Sequence, residues 1–389
     1  MEAPRATSIF YAYRDSPQRR AALAHDPGAP ERYRLFGLDE MVARGARVHH
    51  NLERNGSPTV WTRAAAGALN GLVYRLGGYG GDFASVMASL REINSADVIF
   101  STVDTVGIPL ILLKRAALVR RPVVYTAIGL PERLVQLRGG SMRRLYARAL
   151  RGAQAIVSYA QSEVEWLRDW LGPGSPRVLF VPFGVDVKAF RPVREHVPDV
   201  DVVSVGADPR RDFDLLTGLA TSHPELSLRI VASADHVRSL GTVPANLVIE
   251  ADIPLDAVRG RLAGARVVAL PVRDNSYSGA TTTLLQAMAM AKPVVVSRTD
   301  AIVEGYELED GLNCRLVEPG DAADLERAVF ELLVDAGAAA SLGTRARETV
   351  ERSFSWERYT NALWQVLSDA ASAELPRRSR PSGRRPPTT

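Results

Sequence analysis

The chain has 389 residues, 46% hydrophobic and 24% charged, with 30 Gly and 24 Pro. That balance describes a folded protein with a sizeable core and excludes collagenous and fully disordered classes. A single cysteine, Cys314, excludes an internal disulfide framework, and the net charge of +4 is unevenly divided: residues 1–195 carry 27 basic and 17 acidic side chains, residues 196–376 carry 16 and 27, and residues 377–389 carry five arginines and no acid. A length well beyond ~250 residues predicts two domains, and the charge contrast predicts that they face different partners. Residues 1–8 hold Glu2 and Arg5 ahead of a brief apolar stretch, so no signal peptide is expected. No apolar run approaches the ~20 residues of a membrane span, and a cytoplasmic protein is expected.

In chain order, residues 8–13 and 47–50 read as short strands flanking a helix that starts near Glu31, with Leu35, Leu38 and Met41 or Val42 at helical spacing. Residues 77–81, rich in glycine, lack the spacing of a dinucleotide fingerprint and read as a mobile loop. Residues 97–102, 122–126, 155–159 and 178–182 are compact apolar runs with helix-like segments between them. Runs that are apolar throughout suit a parallel sheet covered on both faces, so a doubly wound α/β domain is expected over residues 1–192. Pro192 and Pro198 interrupt the pattern, and five further strands follow at 201–205, 227–232, 246–250, 265–270 and 293–297. They predict a second Rossmann-like domain over 198–352, with a ligand cleft between the two at the carboxyl ends of their strands. The Pro/Ser/Arg composition of residues 375–389 predicts a disordered basic tail and requires no nucleic-acid partner.

The most informative segment is SYSGATTTLLQAMAMAKPVVVS, residues 276–297. A polar turn leads into a helix whose apolar face is Leu284, Leu285, Met288 and Ala289, with Ser278 or Thr281 able to cap it. The first amides, around Gly279, Ala280, Thr281 and Thr282, would point into the cleft beside hydroxyls, an arrangement suited to a diphosphate. Any capped helix start offers the same chemistry, so this segment alone does not decide the function.

Several segments in order resemble one family. PFGVDVKAF (182–190), VGADPRRDFDLL (205–216, opening with Gly206), SGATTTLLQAMAMAKPVVVS (278–297), DGLNCRLVEPGD (310–321) and SFSWERYTNALWQVL (353–367) together resemble GT-B glycosyltransferases of the retaining family 4. Over the first 180 residues the likeness is one of architecture. The resemblance implies two Rossmann-like domains facing across a cleft, with the residue 353–374 helix packed back on the first domain. It further implies transfer of a sugar from a nucleotide diphosphate to an acceptor with retention of anomeric configuration, without a metal or other cofactor. Arg211 is similar in place to the lysine that family members set on the diphosphate, Arg210 is its neighbour, and Arg273 is a third cation nearby. For Arg210 and Arg211, pairing with Asp208, Asp212 or Asp214 as surface arginines is the ordinary alternative.

The sequence departs from the family pattern at three positions. Where members carry two glutamates eight residues apart in the donor loop, this chain has Ser278 and Gln286, which implies weaker hydrogen bonds to the donor and hints at a modified donor sugar or a deoxyribonucleotide carrier. Where the first domain often carries a histidine, in PVVYTAIGLPERL (122–134), Ile128 stands instead. Glu132 is then the nearest ionisable group and a catalytic candidate beside Arg211, with first-turn helix carboxylate as its plain alternative. Asp104 and Arg133 are the acceptor-side candidates, and His49 and His50 read as exposed. The histidines are scattered and no Cys cluster exists, so no metal site is expected. Two rival readings stay open: a non-catalytic GT-B partner, motivated by Ser278, Gln286 and Ile128, and a nucleotide-sugar 2-epimerase of the same architecture. The basic first half implies an acidic or phosphorylated acceptor, or one presented at an anionic membrane surface to a peripherally bound protein, against a soluble natural-product scaffold.

Overall fold

The computed structural model describes residues 6–53, 58–193, 198–277 and 279–373. The sequence readings at residues 1–5, at Ser278 and for the tail at 375–389 lie outside them.

Among the described residues, twelve short strands form two parallel sheets. The first contains β1 (Ser8–Ala12), β2 (Arg47–His50), β3 (Val98–Ser101), β4 (Val123–Ala127), β5 (Ala155–Ser158) and β6 (Arg177–Phe180), in the order β2-β1-β3-β4-β5-β6. Its inner strands are buried along their whole length, as their continuous apolar runs require, while the edge strand β2 alternates between exposed and half-buried residues. The second contains β7 (Val200–Val205), β8 (Leu228–Ala232), β9 (Leu247–Ala251), β10 (Ala265–Leu270), β11 (Val294–Ser297) and β12 (Arg315–Val317), ordered β12-β11-β10-β7-β8-β9. Helices cover both faces of each sheet, giving one core on each face.

Each sheet reverses its direction of growth once. In the first the chain adds β2 on one side of β1 and then β3 on the other, and in the second it adds β8 and β9 on one side of β7 and then β10 on the other. Crevices open at such switch points beyond the carboxyl ends of the strands. The loops after β7 and β10 therefore meet, and they are residues 206–212 and 271–280.

The domains are tied together behind this cleft. The linker residue Val185 pairs with the start of the last helix: Val185 N donates to Phe354 O at 3.0 Å, and Trp356 N donates to Val185 O at 2.8 Å. Gly184 is needed there, because a Cβ would lie 2.6 Å from Ser355 O. The helix Trp356–Ser372 then crosses to the first domain, burying Tyr359, Leu363 and Leu367 with Tyr11, Phe100 and Val124. Tyr306 of the second domain accepts from Phe183 N at 3.0 Å and donates to Tyr159 O at 2.9 Å.

Three local expectations change. The helix expected from Glu31 is two pieces, a 3-10 turn Pro30–Leu35 and a helix Leu38–Ala43, separated by left-handed Phe36 and Gly37; Leu35, Leu38 and Met41 are buried all the same, whereas Val42 is exposed. Residues 77–81 are packed rather than loose: a Cβ on Gly81 would meet Thr105 O at 2.3 Å, and one on Gly78 would meet Met142 Cε at 2.5 Å. His50 is largely buried against Tyr13, with ring centroids 5.9 Å apart, and burial lowers its pKa.

Candidate functional site

The loops after β7 and β10 are zipped edge to edge. Asp212 N donates to Pro271 O at 3.0 Å, Arg273 N donates to Arg210 O at 2.8 Å, and Arg211 and Val272 form an antiparallel bridge. This pairing turns the Arg211 side chain inward, where it is 3% exposed. Its Nη2 donates to Ser204 Oγ at 2.7 Å, and its guanidinium carbon stands 5.5 Å from the Phe213 ring centroid. The Nε and Nη1 groups are buried without a hydrogen-bond partner among the described residues. Burial pulls the guanidinium pKa down to about 10, with Asp208 opposing the change. Gly206 makes room for it, since a Cβ there would lie 2.9 Å from Arg211 Nε. The surface ion pairs offered as the alternative for this arginine do not form.

The helix that follows β10 is Thr281–Ala289. Ala280 holds the position before it and has no side chain able to cap; Thr281, a candidate cap in the sequence, is instead the first helical residue, buried with its hydroxyl unpaired among the described residues. The first internal bond runs from Leu284 N to Ala280 O at 2.9 Å. Amides earlier in the turn carry the positive end of the helix dipole beside the Thr282 and Thr283 side chains. Gln286 is buried further along the same helix.

Asp208, which the sequence suggested only as a counter-ion, closes this end of the site. It accepts from Arg210 N at 2.8 Å and from Tyr277 Oη at 3.0 Å, and burial raises its pKa. Gly279 permits the approach, because a Cβ on it would sit 2.8 Å from Asp208 Oδ1. No motif flagged Tyr277 or Ser204.

Glu132 lies across the cleft in the first turn of the helix Leu130–Val135. Its Oε2 accepts from Arg210 Nη2 at 2.9 Å and its Oε1 from Ser276 N at 3.2 Å, so the acid faces the second domain's loops. Beside it Tyr277 packs on Gly129, whose φ of +72° and lack of a side chain both suit the contact. Arg273 is turned away to Asp214 at 2.9 Å and Asp212 at 3.4 Å.

Asp104 and Arg133 do come together, but not as two acceptor contacts. Asp104 is fully buried, accepts from Tyr125 Oη at 2.5 Å and Ile128 N at 3.3 Å, and stands 3.6 Å from Arg133 Nε. It offers no surface to an acceptor, and it holds Arg133 in place instead. Arg133 lies over the Tyr79 ring, 4.3 Å from its centroid. Burial pushes the Asp104 carboxyl up to about 6. A second buried acid, Glu163, accepts from Leu130 N at 2.9 Å and from Ser158 Oγ, and burial with the nearby Asp104 charge pushes it up to about 8. It anchors the start of the helix that carries Glu132 and Arg133. Among the described residues no three His, Cys, Asp or Glu side chains converge on one point.

Comparison with known proteins bears on this arrangement. Residues 184–335 match the family described as Glycosyl transferases group 1. The chain is 27% identical over 249 residues to an MMP α-(1→4)-mannosyltransferase of Mycolicibacterium hassiacum, a match covering 61% of this chain and 56% of that protein. It is 29% identical over 217 residues to a GDP-mannose-dependent phosphatidylinositol monomannoside mannosyltransferase of Corynebacterium glutamicum, covering 49% and 56%. The chain thus spans about half the length of the curated relatives it matches. Among solved structures, sucrose-phosphate synthase from Thermosynechococcus elongatus aligns with a TM-score of 0.70 at 18% identity, covering 95% of this chain and 100% of that one. The Anabaena protein HepE, solved with UDP-glucose, aligns with a TM-score of 0.65 at 15% identity, covering 93% and 99%. The fold is that of the GT-B glycosyltransferases.

Proposed function

We propose that the chain is a glycosyltransferase that takes a sugar from a nucleotide diphosphate held in the second domain and passes it to an acceptor held against the first. The observation that carries this reading is Arg211: a buried guanidinium with two nitrogens unpaired among the described residues, beside a helix start whose cap position has no side chain to use. Both features suit an anion, and a departing diphosphate is the anion that sugar transfer generates. The relatives named as mannosyltransferases and the likeness to a protein solved with UDP-glucose support the same class of donor.

In this reading Arg211 and the first amides of the helix Thr281–Ala289 stabilise charge on the diphosphate as the glycosidic bond to it breaks. Arg210 adds a second cation when it turns from Glu132. Gln286 faces the donor without the charge of a carboxylate, which favours a modified or deoxy donor. Glu132, at the cleft, is the acid set to meet the acceptor, and Arg133 beside it offers a cation to an acidic one. Retention at the anomeric carbon and independence from metal belong to the same proposal, because the arginines and amides supply positive charge that a metal would otherwise bring. No helix among the described residues is long and apolar enough to cross a membrane. Peripheral association with an anionic membrane, where a lipid-linked acceptor would be met, is the location we propose.

The test is a thermal-shift screen of UDP, GDP, dTDP and ADP and their sugars on the wild type and Arg211→Ala. A ligand at 100 times its dissociation constant should add ~2.7 kcal/mol of stability. Stabilisation by one nucleotide diphosphate that disappears in Arg211→Ala is the expected result. Activity of the wild type with the selected donor should persist in EDTA, and product analysis should show a retained anomeric configuration.

A further inference from the structure

The helix Val60–Arg75 lies on the outside of the first domain and is apolar on both sides. Its inward side is accounted for: Ala66 is buried, and Leu69 packs against the first domain's core. Its outward side is not. Trp61 is 85% exposed, Val60 69%, Leu72 55% and Leu76, just past the last turn, 56%. Trp61, Ala65, Ala68, Leu72 and Leu76 recur at three- to four-residue spacing and so fall in one stripe along the solvent side. A helix that is apolar all round requires a second apolar surface to cover it.

Charge selects among the possible covers. The sequence holds no Asp or Glu between Glu53 and Asp82, and the exposed cations on this helix are Arg63 and Arg75. Its end abuts a second cationic element, the helix Gly139–Arg151, through Arg138 N, which donates to Gly77 O at 2.9 Å, and Tyr146 Oη, which accepts from Tyr79 N at 2.9 Å. That helix exposes Arg143, Arg144 and Arg148, and no acid lies between Glu132 and Glu163. A second copy of the same face would set arginine against arginine. An anionic lipid surface satisfies both demands, taking the Trp and Leu side chains into its interface and the arginines at its headgroups.

We infer that the outward stripe of Val60–Arg75, flanked by the arginines of Gly139–Arg151, is the surface by which the protein docks on anionic membranes. This deepens the proposed peripheral location by giving it a surface. The dock adjoins the cleft: Asp82 N donates to Thr105 O at 2.8 Å at the head of the helix Asp104–Arg115, and Tyr79 lies under Arg133. A bilayer on this face would present a lipid-linked acceptor beside Arg133 and Glu132.

The test is co-sedimentation of the full chain with vesicles of phosphatidylcholine, alone or with phosphatidylglycerol. The wild type should pellet with the anionic vesicles, weakly or not at all with the neutral ones, and less at high salt. Trp61→Glu combined with Leu72→Glu should cut the bound fraction about tenfold. Arg143→Glu combined with Arg144→Glu should weaken binding to anionic vesicles alone. The nucleotide-induced thermal shift should be unchanged in both variants, which checks their folding and separates a failure of the dock from a failure of the donor reading. Absence of vesicle binding, or undiminished binding by Trp61→Glu/Leu72→Glu, would overturn the inference, the latter pointing to the arginines of residues 377–389. A dimer in solution that the same pair of substitutions dissolves would also overturn it, in favour of a second copy.

Discussion

Arg211 keeps a charge in a place where ordinary packing would not. One of its nitrogens bonds Ser204, two have no partner among the described residues, and each unsatisfied buried donor costs about 1–3 kcal/mol. Replacing it with methionine removes that cost while retaining much of the volume. Arg211→Met should therefore raise the melting temperature of the ligand-free protein, by roughly 2–4 °C, while abolishing stabilisation by a nucleotide diphosphate. A melt that falls by several degrees would mean that Arg211 serves the fold. Glu163 gives a second residue-scale test, through pH. Burial raises its carboxyl from 4.5 to about 8, so between those values the folded chain holds a proton that the unfolded chain releases. That contribution is complete below the unfolded value and is lost as pH rises through about 8, and Asp104, raised to about 6, acts in the same direction. Urea unfolding near pH 5 and near pH 8.5 should show this loss in the wild type and less of it in Glu163→Gln; equal slopes in both would contradict the assignment.

At the scale of elements, two glycines of similar appearance should respond in opposite ways. Gly279 admits Asp208 to the start of the helix Thr281–Ala289, and a Cβ there would collide with its carboxylate. Gly279→Ala should weaken nucleotide-diphosphate binding about tenfold in a calorimetric titration, a loss of about 1.4 kcal/mol. Gly260, in the exposed face of the helix Leu255–Ala263, meets nothing within 4 Å. Gly260→Ala should stabilise by about 0.5–1 kcal/mol in urea melts without altering binding. The same contrast explains how much was legible in the sequence. Continuous apolar runs revealed the buried parallel strands, because a strand covered on both faces has no polar side to interrupt it. The three-residue strand β12 was too short to leave such a trace. The break at Phe36 and Gly37 was hidden because Leu35, Leu38 and Met41 keep helical spacing across it. In the candidate site, the segment 276–297 and Arg211 were visible through the family resemblance. The burial of Arg211 was not, since it depends on pairing with Val272, far along the chain, and on the space left by Gly206.

At the scale of the whole molecule, the domains are joined by two kinds of contact with different strengths. The helix Trp356–Ser372 leaves the second domain and buries Leu363 completely in the first. Leu363→Ala should cost about 2–5 kcal/mol and lower both the urea midpoint and the melting temperature. The Glu132–Arg210 pair across the mouth of the cleft is partly exposed, and such pairs contribute about 0–1 kcal/mol. Under the proposed function, a pair this weak can give way at little cost and leave Arg210 available to a diphosphate. Under the proposed function, the buried cation recognises the diphosphate more than the nucleoside. The most direct measurement is a calorimetric titration of the wild type and Arg211→Met with the nucleoside diphosphate selected by the thermal-shift screen and with its free nucleoside. The wild type should bind the diphosphate tightly, and Arg211→Met should bind it no better than the nucleoside. Equal affinity of the wild type for both ligands, or full retention of diphosphate binding in Arg211→Met, would contradict that recognition.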